Sequence, residues 1–384
     1  MFFILSFIFS LAAFVITLKI LIGYNPEFSL KRKLSIAFVL FLAWFSPMIA
    51  GMIRWLKIFP EAARVYVTQG LYTLFIAAVF LLGVLLLRDL FWIHGYQIAK
   101  KLGKASPDYD PMQPKAIRKA NLAAVFVTVL LSCYSLYEGM KFPAVRETEI
   151  ETDKVDYPFK IAVLTDMHIT SVTSVSSVEK MVRVVNGLKP DITVLVGDIV
   201  DSKSASLKAQ MDALAKLNAK YGVFVTLGNH EFYHGSVEWE NKFRHMKLFY
   251  LGNEGLKLNG TNVYVFGLPD PQMLMISGQM MRSIKSTLKA APEGAYRVFL
   301  SHSPRFIKKL NKNLIDLQIS GHTHGGQIFP FHFLVKRFND FVAGLYEVDG
   351  MKLYVSRGAG GWGPPMRLFA PSEISVITLV PSKK

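Results

Sequence analysis

Five short polar motifs follow five apolar, β-rich stretches in the second half of the chain. They offer carboxylate, imidazole and amide groups, in Asp166-Met167-His168, Gly197-Asp198-Ile199-Val200-Asp201, Gly228-Asn229-His230-Glu231, His302 and His322-Thr323-His324. This set of donors suits divalent transition metals such as Mn, Fe or Zn better than Mg alone. Two such ions would clamp a phosphate oxygen and generate hydroxide from water at neutral pH. The motifs therefore indicate metal-dependent hydrolysis of a phosphate ester, which needs no Ser or Cys nucleophile.

Taken singly, each motif has a simpler structural interpretation. An Asp-x-His occurs often by chance, a Gly-Asp is often only a turn, and an Asn-His after glycine can begin a helix. His302 alone would more often be a structural histidine. His322 and His324 give a better single signal, because alternate residues of an extended segment point to the same side. All five motifs in this order, each directly after an apolar stretch, favour a metal site.

The apolar stretches themselves predict the strands that position these groups. Strands are expected at 159–164, 192–196, 223–227, 296–300 and 317–320, with helices at 178–188 and 206–220 between the first three. A hairpin is predicted in 345–355 around Asp349-Gly350, and a last strand at 373–379. Alternating strands and helices predict mixed sheets packed as a sandwich with helices outside. Ligands collect beyond the carboxyl ends of strands in such sheets, so distant motifs can converge.

The chain resembles the calcineurin-like metallophosphoesterases over residues 157 to about 380. The resemblance is carried by Asp166-Met167-His168, Gly197-Asp198-Ile199-Val200-Asp201, Gly228-Asn229-His230-Glu231, His302 and Gly321-His322-Thr323-His324. Tyr354-Val355-Ser356-Arg357-Gly358 and Glu373-Ile374-Ser375 resemble its membrane-associated YkuE-like branch. The resemblance implies an α/β (α+β) four-layer sandwich of mixed β-sheets flanked by helices.

The same resemblance implies a role for each motif residue. One metal ion is assigned to Asp166, His168 and His324, the other to Asn229, His302 and His322, and Asp198 is assigned to both as a bridge. His230 is expected to contact the substrate phosphate and to assist protonation of the leaving oxygen. The predicted catalytic residues are therefore His230 and Asp198.

Two departures from the wider family bear on these assignments. Protein Ser/Thr phosphatases carry an Arg-Gly after the second motif, whereas Ser202-Lys203 follows Asp201 here. This difference argues against a phosphoprotein substrate. The third motif ends in Glu231 where Asp is commoner, and the change is expected to be tolerated because this position is not a ligand.

The first 140 residues predict a transmembrane region. Hydrophobic residues make up 51% of the 384-residue chain, whose mean hydropathy is +0.31, too apolar for a wholly soluble protein. Spans are predicted at 2–22, 34–53, 71–87 and 122–137, each long enough for about 30 Å of hydrocarbon. The first run could instead be a signal peptide, and the fourth a helix of the soluble domain. A charged linker at 141–156 and a catalytic domain at 157–384 complete the predicted organisation.

Basic residues in the predicted loops give an orientation. The loops after the first and third spans are the richer ones, with Lys31, Arg32, Lys33, Lys100, Lys101, Lys104, Lys115, Arg118 and Lys119. Loops rich in Lys and Arg stay inside, which leaves the catalytic domain outside. We expect an integral protein of a bacterial cytoplasmic (inner) membrane with an extracytoplasmic catalytic domain.

The expected partners are the lipid bilayer and a phosphate ester, and the membrane anchor favours a lipid- or envelope-linked ester. The chain carries a net charge of +16, but Lys and Arg are scattered in the second half, so no nucleic acid is expected. The single cysteine, Cys133, allows neither an intramolecular disulfide nor a thiolate metal site. Phe329, 331–333 and Trp362 could form an apolar lip near the bilayer or belong to the core. A transporter or sensor that binds a phosphorylated ligand without hydrolysis is the alternative function.

Overall fold

Four long helices form the N-terminal part of the chain in a computed structural model, which describes residues 2–23, 25, 27–57 and 59–382. They are α1 Phe2–Leu18, continued by a π-helical turn Lys19–Gly23, α2 Leu30–Leu56, α3 Glu61–Lys101 and α4 Pro114–Met140. All four are long and apolar enough to cross a membrane. The 41 residues of α3 extend about 60 Å, about twice the hydrocarbon thickness of a bilayer. Each predicted span lies within one of these helices or its π-helical continuation.

The four helices pack against one another through small and aromatic side chains. Trp44 of α2 is fully buried, and its ring meets the Phe75 ring of α3 edge-on at 5.8 Å. Many other apolar side chains of the helices are exposed, as lipid-facing side chains would be. Described residues of α4 up to Tyr137 cluster with α1 to α3 in one unit. This clustering agrees with a fourth span better than with a helix of the soluble domain.

Two six-stranded mixed sheets form the second unit. The first sheet has the order β1-β12-β2-β3-β4-β5, and all neighbours are parallel except β12 and β2. Its strands are β1 Ala144–Thr152, β2 Phe159–Leu164, β3 Ile192–Val196, β4 Val223–Thr226, β5 Phe249–Tyr250 and β12 Glu373–Pro381. The second sheet has the order β10-β11-β9-β8-β7-β6, with antiparallel pairs at its two edges. Its strands are β6 Glu254–Lys257, β7 Val263–Leu268, β8 Tyr296–Ser301, β9 Leu317–Ser320, β10 Gly344–Val348 and β11 Met351–Val355.

Alternate residues of the strands build the layers of a sandwich. Ile161 and Val163 of β2 pack with Val298 and Leu300 of β8 in the cluster between the sheets. Ala162 and Leu164, which alternate with them, pack on the opposite side against helices. The helices are α5 Val175–Gly187, α6 Lys208–Leu214, α7 Asn229–Tyr233, α8 Ser236–His245, α9 Gly278–Lys289 and α10 His332–Asn339. Helix α9 packs on the outer face of the second sheet. The predicted four-layer sandwich of mixed sheets and helices is confirmed.

Strand β1 lies inside the stretch predicted as a linker. It pairs in parallel with β12 from Ala144–Glu373 to Thr152–Pro381. Most of its side chains are exposed and several are charged, so the stretch carries no apolar pattern. Backbone hydrogen bonds to β12 hold it, and those do not depend on side-chain type.

Helix α6 ends at Leu214, six residues before the predicted end. The Asn186 side chain donates to the Lys216 carbonyl (2.9 Å) and accepts from the Asn218 N–H (2.9 Å). These bonds occupy backbone groups that a longer helix would need. The last two residues of the predicted catalytic domain, 383 and 384, lie outside the described residues.

Candidate metal centre

The five motifs meet at the carboxyl ends of strands from both sheets. Those following β2, β3 and β4 come from the first sheet, and those following β8 and β9 come from the second. All eight site residues predicted from the sequence lie here. Their ligand atoms form groups in which each atom is within 4.8 Å of the others: Asp166, His168 and His324; His168, Asp198 and His230; and Asp198, His302 and His322.

Left-handed backbone conformations turn these side chains toward one another. The φ angles are 51° at Asp166, 46° at His168, 51° at Asp198, 70° at His322 and 50° at His324. Non-glycine residues adopt this region rarely, although Asp and His tolerate it better than most. Such strain persists where the surrounding structure enforces it, and it clusters at functional sites. A regular strand or helix could not direct these five side chains to one point.

The first group combines one carboxylate with two neutral imidazoles. His324 Nε2 lies 3.2 Å from Asp166 Oδ1 and 3.1 Å from His168 Nε2. Burial lowers the pKa of His168 to about 3, and the charge of His324 acts in the same direction. Burial and then the Arg367 guanidinium lower the pKa of His324 well below its usual value. The lowered pKa values favour the unprotonated rings that metal binding requires.

The second group is centred on the Asp198 carboxylate. Asp198 Oδ2 lies 3.0 Å from His302 Nε2, and the Asn229 side-chain oxygen lies 3.0 Å from His322 Nδ1. Burial lowers the pKa of His322, and the charge of His302 lowers it further. Asp166 connects the two groups, because its carboxylate accepts the His322 backbone N–H at 3.0 and 3.1 Å.

The donor atoms of both groups fit divalent cations. His302 Nδ1 donates to the Val196 carbonyl at 2.9 Å, which orients Nε2 toward the site. Although Asp198 Oδ2 lies 3.0 Å away, the Nε2 atom of His302 has no hydrogen-bonding partner of good geometry among the described residues. Burial opposes protonation of His302, but Asp198 and Asp166 raise its pKa well above the usual value. The negative charge that holds a proton there would also hold a metal cation.

Buried carboxylates around the groups strengthen this electrostatic argument. Asp166, Asp198 and Asp270 are at most 2% exposed. None of the three forms an ion pair with a described Lys or Arg within 4 Å. Uncompensated buried charge is costly, and cations between the two groups would compensate it. Asp270 lies outside the five motifs, so motif spacing gave no signal for it.

Asp201 holds His230 at the edge of the centre. Its Oδ1 atom lies 2.9 Å from His230 Nδ1 and 2.8 Å from His234 Nε2. Burial lowers the pKa of His230, but the Asp201 hydrogen bond and the Asp198 charge outweigh it and raise the pKa. Burial likewise opposes ionisation of Asp201, and the bonds from the two histidines hold its pKa below the usual range. No sequence pattern had given His234 a role, because its partner is 33 residues away.

Glu231 binds the backbone of the second motif. Its Oε1 accepts the N–H of Ile199 (2.7 Å) and of Val200 (3.1 Å), and its Oε2 accepts the N–H of Asp198 (3.0 Å) and of Gly228 (2.7 Å). The carboxylate is fully buried, and burial followed by the Asp198 charge raises its pKa to about 7. Although it is not a ligand, Glu231 fixes the loop that carries Asp198.

Two glycines and a buried arginine complete the packing. A Cβ on Gly228 would collide with the Asp198 carboxylate, and one on Gly321 with the Asp166 carboxylate. Arg367 is 1% exposed and donates to the carbonyls of His324 (3.2 Å) and Ala370 (2.6 Å). It thereby fixes the loop of the last motif.

Comparisons with known proteins give the family of the chain. The family model described as calcineurin-like phosphoesterase matches residues 159–326. An uncharacterised metallophosphoesterase of Helicobacter pylori is 33% identical over 363 residues, which cover 93% of each chain. The chain belongs to the calcineurin-like metallophosphoesterases. The predicted family and enzyme class are confirmed.

Two further relatives of this metallophosphoesterase bear on its membrane region and its branch. A cattle protein, described as a transmembrane protein with a metallophosphoesterase domain, is 32% identical over 302 residues, covering 74% of this chain and 67% of its own. The metallophosphoesterase YkuE of Bacillus subtilis is 29% identical over 231 residues, covering 58% of this chain and 79% of its own. The predicted resemblance to YkuE is confirmed.

We predict that Glu231→Gln destabilises this metallophosphoesterase even without metal. The amide nitrogen would face two backbone N–H groups that lose their acceptor, at a cost on the order of 2–4 kcal/mol. Thermal unfolding of the full chain in detergent and chelator, at pH 8 where Glu231 is ionised, measures the loss. Exposed Glu238→Gln on α8 is the control. Equal unfolding temperatures for the two variants would show that Glu231 does not fix the loop.

Proposed function

We propose that this chain is a membrane-anchored, metal-dependent phosphohydrolase. Its substrates are phosphate esters, namely a phosphodiester, a phosphomonoester or a pyrophosphate. The observation that carries the proposal is the meeting at Asp198 of His168 and His230 on one side and of His302 and His322 on the other. Family membership gives the reaction class, and the geometry supports the assignment of residues.

Each group of ligands is assigned to one divalent ion. Asp166, His168 and His324 hold the first, and Asn229, His302 and His322 hold the second, with Asp198 shared between them. Imidazole nitrogens dominate both sets, which favours Mn, Fe or Zn. When bound, two such ions lower the pKa of water and polarise a phosphate oxygen.

His230 supplies a proton to the leaving oxygen. Its Nδ1 is bonded to Asp201, so its Nε2 is the atom directed to the centre, 4.0 Å from Asp198 Oδ2. The Asp201 hydrogen bond and the Asp198 charge raise the pKa of His230, which favours the protonated ring. A positioned acid of matched pKa contributes typically about 10²–10⁴-fold to such reactions.

The membrane region favours a lipid-linked or cell-envelope substrate. Four helices suited to crossing a membrane precede the catalytic unit, and Ser202-Lys203 replaces the Arg-Gly of protein phosphatases. Lys and Arg flanking the helices favour the orientation with the catalytic unit outside a bacterial cytoplasmic membrane.

We predict that activity requires divalent metal and both groups of ligands. The purified full chain should hydrolyse an aryl phosphodiester with Mn, and a chelator should abolish the reaction. Asp198→Asn removes the charge shared by both groups, and His322→Ala removes one ligand. Each should abolish activity and lower the metal content, which is about two ions per chain in the parent enzyme.

Exposed residues provide matched controls for these changes. Asp212→Asn on α6 and His245→Ala on α8 should retain full activity. The alternative function, a sensor or transporter, would be supported instead if the parent chain bound a phosphorylated ligand but hydrolysed no ester with any divalent metal.

We predict that His230→Asn slows esters of alcohols more than esters of nitrophenol. A nitrophenolate leaves without protonation, whereas an alkoxide needs the proton of His230. The kcat for alkyl esters should fall about 10²–10⁴-fold, with a much smaller loss for the aryl ester and unchanged metal content. An equal loss for both leaving groups would assign His230 to binding only.

We predict an extracytoplasmic C-terminus. Alkaline phosphatase fused after Lys384 should be active, because it folds only outside the cytoplasm, and a fluorescent protein there should be dark. The same reporters after Lys104, in the third loop, should behave oppositely. Cytoplasmic fluorescence of the Lys384 fusion would reverse the proposed orientation.

A further inference from the structure

An exposed apolar surface lies on the catalytic unit, outside the ligand groups. It consists of Phe329, Phe333, Leu334, Phe338 and Phe369, which are 42%, 63%, 55%, 66% and 72% exposed. None of the residues of α10 is buried. Of the two interpretations given to this stretch, an apolar lip or core, the exposure agrees with the lip. Contiguous exposed apolar residues of this size mark interaction sites.

Ring contacts and backbone bonds make this apolar surface one ordered feature. The Phe329 ring lies 6.2 Å from that of Phe333 and 5.8 Å from that of Phe369. The Phe329 N–H donates to the Leu368 carbonyl at 3.1 Å. Phe369 has a φ of 59°, a strained value for a bulky residue, and this conformation holds its ring out toward solvent. Strain that exposes a Phe suggests a function for the exposure.

The apolar surface adjoins the candidate metal centre. It follows His324 closely in the chain, and Gln327 connects it to Trp362 through two hydrogen bonds of 2.7 and 3.1 Å. The Trp362 ring lies 6.4 Å from the ring of His230. A molecule seated on the apolar surface would therefore be next to the group proposed to protonate the leaving oxygen.

The charges of α10 identify what covers this surface. The helix contains Lys336 and Arg337 and no acidic residue. Both basic side chains are exposed, and neither forms an ion pair with a described residue within 4 Å. Aromatic residues beside unpaired basic residues are typical of segments that lie in the interface of an anionic bilayer. Four helices suited to crossing a membrane belong to the same chain.

We propose that the apolar surface docks into the lipid headgroup region. The proposal rests on the phosphohydrolase function above and specifies its substrate class: a phosphate ester whose apolar part stays in the bilayer. The enzyme reaches the phosphate at the membrane surface without extracting the lipid. Lys336 and Arg337 contact anionic headgroups, while the phenyl rings lie at the boundary with the acyl chains.

Depth-dependent quenching tests the docking directly. Phe333→Cys and Phe338→Cys are made in the full chain with Cys133→Ser, labelled with an environment-sensitive fluorophore, and reconstituted into nanodiscs of phosphatidylcholine and phosphatidylglycerol. Spin-labelled lipid should quench both labels strongly. A label at Leu256→Cys is the control, because Leu256 is 41% exposed on β6, at the edge of the second sheet opposite β10.

Two results would overturn the docking. One is lipid quenching at Phe333 and Phe338 no stronger than at Leu256. The other is protection from the lipid quencher combined with self-quenching between labelled chains, which would assign the surface to a second copy.

A kinetic comparison tests the substrate class and separates the two proposals. Phe333→Ser with Phe338→Ser should lower the hydrolysis of a phosphate-ester lipid in nanodiscs by about tenfold or more, because apolar burial is lost. Hydrolysis of a water-soluble aryl phosphodiester should be unchanged. If both rates are unchanged, the inferred substrate class is wrong. If the parent enzyme cleaves neither the lipid nor a soluble ester with any divalent metal, the proposed function fails while the quenching result stands.

Discussion

The Asp198 carboxylate is the group on which the geometry of the centre depends. Its Oδ1 accepts the His230 backbone N–H at 2.8 Å, and its Oδ2 faces His302 Nε2. The Asp198 backbone accepts the His168 N–H at 3.0 Å and donates to Glu231. One residue thus connects the motifs that follow β2, β3, β4 and β8. Groups brought together from both sheets in this way need a rigid sandwich behind them.

Burying so much negative charge at one point determines the protonation of the centre. His302 faces Asp198 and has a raised pKa, whereas burial lowers the pKa values of His168 and His324, and the Arg367 guanidinium lowers that of His324 further. A cation at either group would replace protons that the carboxylates otherwise attract. Strained backbone at five of the predicted ligands indicates that this arrangement is enforced by the fold.

The chain combines this polar centre with surfaces suited to lipid. Four apolar helices and the exposed aromatic rings around α10 belong to one polypeptide. A phosphate ester with an apolar tail has the same two parts, a charged group and a hydrocarbon chain. Such a substrate would use both features of the protein, which a soluble nucleotide would not.

Local patterns in the sequence were sufficient to predict most elements and the places of the polar motifs that meet at the centre. Buried strands such as 159–164 and 192–196 are mostly apolar, and each polar motif comes directly after such a strand, so their positions follow from neighbouring residues. Contacts between distant residues were decided by the tertiary structure. Strand order and layer packing determine three such contacts. They are the pairing of β1 with β12, the sharing of Asp201 by His230 and His234, and the four hydrogen bonds that Glu231 accepts. A linear pattern records which residues are apolar, but not which strand lies beside which or where the backbone must become left-handed.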